Sequence, residues 1–185
     1  MVVLERLRAD HAAAVLSFER ENREWFARSI PDRGDAWFAG FGERHRALLA
    51  EQRAGLHHLH VLVDDGRVIG RVNLVDITDG VAELGYRIAE EATGRGIATG
   101  AVAEVCRRAA EVYGLSALTA VTTLDNPASR AVLAHNGFAV IGEIDLDGRP
   151  GIRYRRRLVP GADPSPEEVR SPAHASGSRS EEGQT

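Results

Sequence analysis

Residues 81–103, VAELGYRIAEEATGRGIATGAVA, constrain this chain more than any other stretch. The first half alternates. Val81, Glu83, Gly85 and Arg87 fall on one side, and Ala82, Leu84, Tyr86 and Ile88 on the other, the period of a half-buried strand. The second half is punctuated by Gly94, Gly96 and Gly100. It then carries Ala101, Val102, Val105, Cys106, Ala109 and Val112 at helical spacing. A strand therefore runs through a tight glycine turn into a helix. The first turn of a helix has unpaired N–H groups and a partial positive charge, and glycine lets a ligand come close to that backbone. The stretch reads as an anion site for a pyrophosphate. The alternative is a glycine-rich helix start that binds nothing.

Three pyrophosphate motifs compete for it. A P-loop needs Gly-Lys-Ser/Thr, and all 23 basic residues of this chain are arginine. A dinucleotide fingerprint needs Gly-x-Gly-x-x-Gly, but Thr99 stands in the third slot. Its strand should also be a continuous apolar run, and this one alternates. The third motif is the acyl-CoA turn, Gln/Arg-x-x-Gly-x-Gly/Ala. Here Thr93, Gly94, Arg95, Gly96, Ile97 and Ala98 fill the slots, with Gly96 and Ala98 matching and Thr93 departing from the pattern.

On these residues the chain resembles the GNAT superfamily of acyl-CoA-dependent N-acetyltransferases. The phrase GYRIAEEATGRGIAT is most similar to the RimJ/RimL type, which acetylates the N-terminal alanine of ribosomal proteins. A second run, NPASRAVLAHNGF at residues 126–138, matches the same superfamily. The resemblance covers about residues 2–158. It implies a GNAT fold of the α/β (α+β) class: a mixed, mostly antiparallel, splayed sheet of six to seven strands flanked by about four helices. It also implies acetyl-CoA as cosubstrate, held by the backbone from Thr93 to Thr99 and by Asn126, beside the pantetheine arm where two strands part. Many members place a tyrosine seven residues after that asparagine to protonate the leaving thiolate; here the slot is Leu133. Ser129, three residues after Asn126, matches the RimJ/RimL pattern and is the candidate for a hydrogen bond near the thioester sulfur. Its other reading is a first-turn serine that stabilises the helix start. Thr93 leaves a side-chain phosphate contact open, which Arg95 can supply.

Acetyl transfer needs a neutral amine, a polarised carbonyl and a stabilised thiolate. Backbone N–H groups at the end of the 81–88 strand, up to Ile88, can serve the carbonyl if the sheet opens there. Glu83 is the lone carboxylate within that strand, matches a RimJ/RimL position, and is the candidate general base. Its other reading is a strand glutamate paired with an arginine. Lysine costs roughly 3 kcal/mol more than an α-amine to deprotonate at neutral pH. A site without a strong base therefore suits N-termini or small amines.

Three functions follow: acetylation of a protein N-terminal amine, acetylation of a small-molecule amine such as an amino acid, polyamine or antibiotic, or acyl-CoA sensing without catalysis. The net charge of −4 gives no basis for nucleic-acid binding, and the protein is expected as a monomer or homodimer. The single cysteine, Cys106, excludes an internal disulfide, suits a reducing cytoplasm, and reads as core rather than as a nucleophile. No apolar run approaches about 18 residues and the N-terminus has no apolar signal core, so neither a membrane span nor secretion is expected. His57, His58 and His60 invite a metal reading, but alternation puts only His58 and His60 on one face and no metal is expected.

The remaining chain reads as a strand over residues 2–7 and a helix over 11–28 capped by Asp10. A second helix over 35–53 follows, then strands over 56–63 and 67–77. Beyond the central helix come a strand over 117–124, a short helix capped by Asn126, and strands over 138–146 and 152–158. Six of the ten aromatic residues, Phe18, Trp25, Phe26, Trp37, Phe38 and Phe41, precede residue 42 and serve either as core or as an acceptor pocket. The acetyltransferase domain is read as residues 1–159. The polar, proline-rich residues 160–185 cannot bury enough apolar surface to offset their ordering and are expected to be a disordered tail.

Overall fold

In the computed structural model, residues 1–158 are described. They form one seven-stranded sheet in the order β1-β2-β3-β4-β5-β7-β6. The strands are β1 (Val3–Arg6), β2 (His58–Asp64), β3 (Arg67–Thr78), β4 (Val81–Ile88), β5 (Ala117–Thr123), β6 (Ala139–Leu146) and β7 (Arg149–Arg157). The helices are α1 (Ala12–Glu21), α2 (Arg23–Ala27), α3 (Asp35–Ala39), α4 (Phe41–Arg53), α5 (Ile97–Glu111) and α6 (Pro127–His135). All neighbouring strands are antiparallel except β4 and β5. The expected mixed, mostly antiparallel sheet flanked by helices is the observed one. The expected tail at 160–185 lies outside the described residues.

Three Asp-Gly pairs set the hairpins. Asp65 and Gly66 have φ of 47° and 79°, Asp79 and Gly80 50° and 74°, and Asp147 and Gly148 54° and 81°. Two successive positive φ angles make the two-residue turn whose twist matches the flanking strands. The last pair puts the start of β7 at Arg149, earlier than the expected 152.

The two faces of the sheet follow from register. Val61, Arg71 and Arg87 are cross-strand partners and share one face; His60, Val72 and Tyr86 share the other. Helix α1 covers the first face, where Glu19 accepts from Arg71 Nη1 (2.8 Å) and Arg87 Nη1 (3.0 Å). On the same side, Gln52 of α4 accepts from the Leu59 amide and donates to the Leu7 carbonyl. Helix α5 covers the second face with Ala101, Val102, Val105, Cys106 and Ala109, all buried as their helical spacing predicts. Cys106 is core, as expected: it is 1 % exposed, and burial pushes its thiol pKa up.

Two helices differ from expectation. Asp10 caps nothing; it lies in a 3-10 turn (Ala9–His11), accepts from Arg8 Nε, and α1 begins only at Ala12. The 11–28 helix breaks at Asn22, whose amide nitrogen donates to the Phe18 carbonyl while its oxygen accepts from the distant Glu90 amide. The 35–53 helix is divided at Gly40 into α3 and α4.

Candidate active site

Strands β4 and β5 pair over three rows only, Val81 with Ala117, Ala82 with Leu118 and Glu83 with Thr119. Beyond Glu83, β4 stays bonded to β3, and beyond Thr119, β5 stays bonded to β7. The sheet therefore opens into a V directly after Glu83. Along residues 84–88, every second backbone N–H and C=O of β4 turns away from β3 into this opening.

At the far end of β4 lies the glycine turn. Gly94 and Gly96 both hold positive φ, 72° and 74°, and a Cβ built on either meets nothing within 4 Å. Gly96 occupies the N-cap position of α5 without any side-chain capping bond. The N–H groups of Ile97, Ala98 and Thr99 have no hydrogen-bond acceptor among the described residues, the condition an anionic ligand requires. The residues present fit a pyrophosphate. Arg95 is exposed and forms no ion pair among the described residues. The Thr93 hydroxyl is engaged, donating to the Glu90 carbonyl at 2.7 Å. Ile97, Ala98 and Thr99 form the first turn of α5, and the Thr99 carbonyl accepts from Asn136, which ties α5 to α6.

Asn126 caps α6. Its side-chain oxygen accepts from the Ser129 amide at 3.1 Å, with Pro127 at the first helical position. Ser129 meets a residue that the sequence reading left without a role. The Tyr86 hydroxyl lies 2.9 Å from Ser129 Oγ and donates to the Ser129 carbonyl at 3.3 Å. This contact bridges the opening on the α5–α6 side. Burial, partly offset by the bond to Ser129, holds the Tyr86 phenol pKa above its ordinary value, so it is a neutral proton donor. Leu133, in the slot of the absent tyrosine, is 1 % exposed in the core. The Ile88 carbonyl accepts from Trp25 Nε1 at 3.2 Å, placing α2 against the end of β4.

On the other face, Glu83 and Gly85 are exposed. Glu83 forms no ion pair among the described residues, so its reading as an arginine-paired strand residue has no partner. A Cβ on Gly85 would meet nothing within 4 Å, which leaves open floor between Glu83 and Arg87. Arg87 and Arg71 instead converge on Glu19, a carboxylate only 2 % exposed, with Arg33 Nη1 at 4.0 Å. Sequence reasoning missed this cluster, because a lone glutamate in an amphipathic helix reads as solvent-facing. Of the aromatic group, Phe18, Phe26 and Phe41 are core. Trp37 and Phe38 are partly covered by Arg33 and Arg23.

The histidines have structural partners. His60 Nδ1 donates to the Val72 carbonyl at 3.1 Å, so its Nε2 accepts from the Tyr113 hydroxyl at 2.7 Å. The His58 ring stacks on Tyr113 at 3.7 Å. No group of residues suited to a metal ion occurs among the described residues. Burial lowers the His60 pKa to about 4. The folded protein thus keeps this ring neutral where the unfolded chain, with a pKa near 6.5, takes a proton. Its contribution is complete above pH 6.5 and is lost as the pH falls toward 4. Urea unfolding should show wild type losing about 3 kcal/mol more than His60→Gln across that window. Parallel pH profiles would contradict this.

A search of the curated proteins finds no match. The family model "Acetyltransferase (GNAT) domain" matches residues 2–139. The chain belongs to the GNAT acetyltransferases. It is an acetyl-CoA-dependent enzyme of that class. Among solved structures, ribosomal-protein-S5-alanine acetyltransferase from Vibrio fischeri is similar at a TM-score of 0.81 and 24 % identity, over 85 % of this chain and 93 % of that one. Mycobacterium smegmatis RimJ in complex with CoA-disulfide aligns at 0.76 and 28 % identity, over 84 % and 81 %. A spermidine N-acetyltransferase chimera of Vibrio cholerae SpeG and hSSAT aligns at 0.69 and 17 % identity, over 85 % and 95 %. No helix of the described residues is long and apolar enough to cross a membrane.

Proposed function

We propose that this GNAT enzyme is of the RimJ/RimL type and acetylates the N-terminal α-amine of a polypeptide, a ribosomal protein or one like it, in the cytoplasm. The observation that carries this reading is the open face at Glu83 and Gly85. The concavity lined by Arg20, Arg23, Asp35 and Phe38, among α1 to α3, includes neither residue. A small amine calls for an enclosed pocket, whereas the end of a chain can lie on an open floor. The 28 % identity to a RimJ supports the same reading.

Acetyl-CoA supplies the activated acetyl group. The chain's own residues do the rest. The α5 N-terminus and the Gly94–Gly96 backbone bind the pyrophosphate, with Arg95 adding charge. Asn126 borders the pantetheine arm. Unpaired N–H groups of β4 polarise the carbonyl. Glu83 takes the proton from the attacking amine, directly or through one water. The Tyr86–Ser129 pair returns a proton to the leaving thiolate, the task for which Leu133 offers no group. Direct attack in a ternary complex needs no enzyme nucleophile, consistent with a buried Cys106.

The test is acetyl transfer to a peptide carrying both a free N-terminus and an internal lysine, beside spermidine and free amino acids. The peptide should be the preferred acceptor by kcat/KM. Spermidine or a free amino acid as the preferred acceptor would favour the small-amine reading.

A further inference from the structure

The face that carries Glu83 continues across β5 onto β7, and there it is uncovered and basic. Arg153, Arg155 and Arg157 alternate along β7 and are all exposed. Register puts them on the Glu83 face, because Glu83 pairs with Thr119 and Thr119 with Arg155. Arg155, the middle residue of the row, therefore lies two strand spacings, about 10 Å, from the candidate base, with Arg153 and Arg157 to either side of it.

No carboxylate among the described residues neutralises this row. Arg149, further along the same face, has its carboxylate, Asp125 at 2.8 Å. Arg153, Arg155 and Arg157 take part in no ion pair or side-chain hydrogen bond among the described residues. Their cross-strand neighbours are Val121 and Gly142 beside Arg153, and Thr119 and Ala139 beside Arg155. These are small or uncharged residues that leave the guanidinium groups standing clear. Three like charges spaced about 6.8 Å apart along one strand make a positive strip that attracts an anionic partner. The overall charge of −4 makes so local a basic strip a departure from the rest of the molecule.

We infer that this arginine row is a specificity site for the acceptor, and that the acceptor is a polypeptide whose first residues beyond the amine are acidic. The inference rests on the N-terminal reading above. Three observations select this partner. Alternate side chains of an extended peptide repeat about every 6.8 Å, the same pitch as the row, so carboxylates at every second position meet successive guanidiniums. About 10 Å from Glu83 corresponds to roughly three extended residues, so the acidic positions begin near the third residue of the acceptor. No aromatic side chain from β5, β6 or β7 shares this face with the row, so the stacking platform that single-stranded nucleic acid uses is missing.

The experiment uses the full chain and three peptides identical in their first two residues, with acidic, neutral amide or basic residues from the third to the seventh. The acidic peptide should exceed the neutral one in kcat/KM by about tenfold, mainly through KM, from two exposed charge pairs, Arg155 and one of its neighbours in the row. Rising salt should erode the advantage. In the variant Arg153→Gln/Arg155→Gln/Arg157→Gln the acidic-to-neutral ratio should fall to about one, with an unchanged circular dichroism spectrum. Equal kcat/KM for acidic and neutral peptides in wild type overturns the acidic preference and leaves the N-terminal reading standing. Acetylation of no peptide, with turnover on spermidine or an amino acid, overturns both. A higher KM for acetyl-CoA in the variant with the peptide preference retained assigns the row to the cosubstrate instead. Inhibition by a single-stranded oligonucleotide below the KM of the acidic peptide assigns it to nucleic acid.

Discussion

Gly96→Glu is expected to bind acetyl-CoA about a thousandfold more weakly than wild type, because a carboxylate near 4 Å from a bound phosphate at a protein surface costs about 4 kcal/mol. Two effects act at this position, and they separate. Gly96 holds φ at +74°, where any L side chain is strained by about 1–2 kcal/mol. Gly96→Ala carries the strain without the charge, and the open space above the glycine gives its methyl group nothing to strike. Alanine should therefore keep most of the affinity and glutamate should lose it, while both lower the melting temperature of the ligand-free protein by a similar amount. Isothermal titration of the three proteins decides this. Unchanged affinity in Gly96→Glu would remove the 94–98 turn from the cosubstrate site. Equal losses in the two variants would mean that the backbone conformation, not the anion, is what glycine serves there.

Glu83→Gln should lower kcat by about a thousandfold, within the range that a positioned general base contributes. The KM for acetyl-CoA should not move, because Glu83 lies on the face of β4 opposite Tyr86 and Ser129, and the glycine turn lies at the far end of the strand. Stability should not move either, since the side chain is exposed and has no ion-pair partner among the described residues. Pre-steady-state mixing with acetyl-CoA and an acceptor peptide isolates the chemical step from product release. Full turnover in Glu83→Gln would remove this residue from the mechanism. A rise in acceptor KM at constant kcat would make it a binding group for the ammonium form of the amine.

Much of this architecture is written in local chemistry. The Asp-Gly pairs at 65, 79 and 147 punctuate the strands, the alternation over residues 81–88 marks β4 to its ends, and Gly94 and Gly96 mark the helix start. What stayed hidden is long-range. Asn22 breaks a helix because its side chain finds the Glu90 amide, 68 residues away. Glu19 is buried because Arg71 and Arg87, neighbours only through strand register, meet it across the sheet. Tyr86 gains its partner in Ser129 only once β4 and β5 part. The arginines of β7 alternate visibly in the sequence, but their alignment with Glu83 needs the β4–β5–β7 register. Strand and turn signals are short-range, whereas the candidate site is assembled by pairing, and that difference sets what could be read in advance.

The position of the acetyl group on the two-amine peptide, read by fragmentation mass spectrometry after incubation with the enzyme and acetyl-CoA, decides whether the N-terminal amine is the acceptor. Acetyl is expected on the N-terminal α-amine alone. Acetyl on the lysine side chain, or none on the peptide while spermidine is modified, would contradict it.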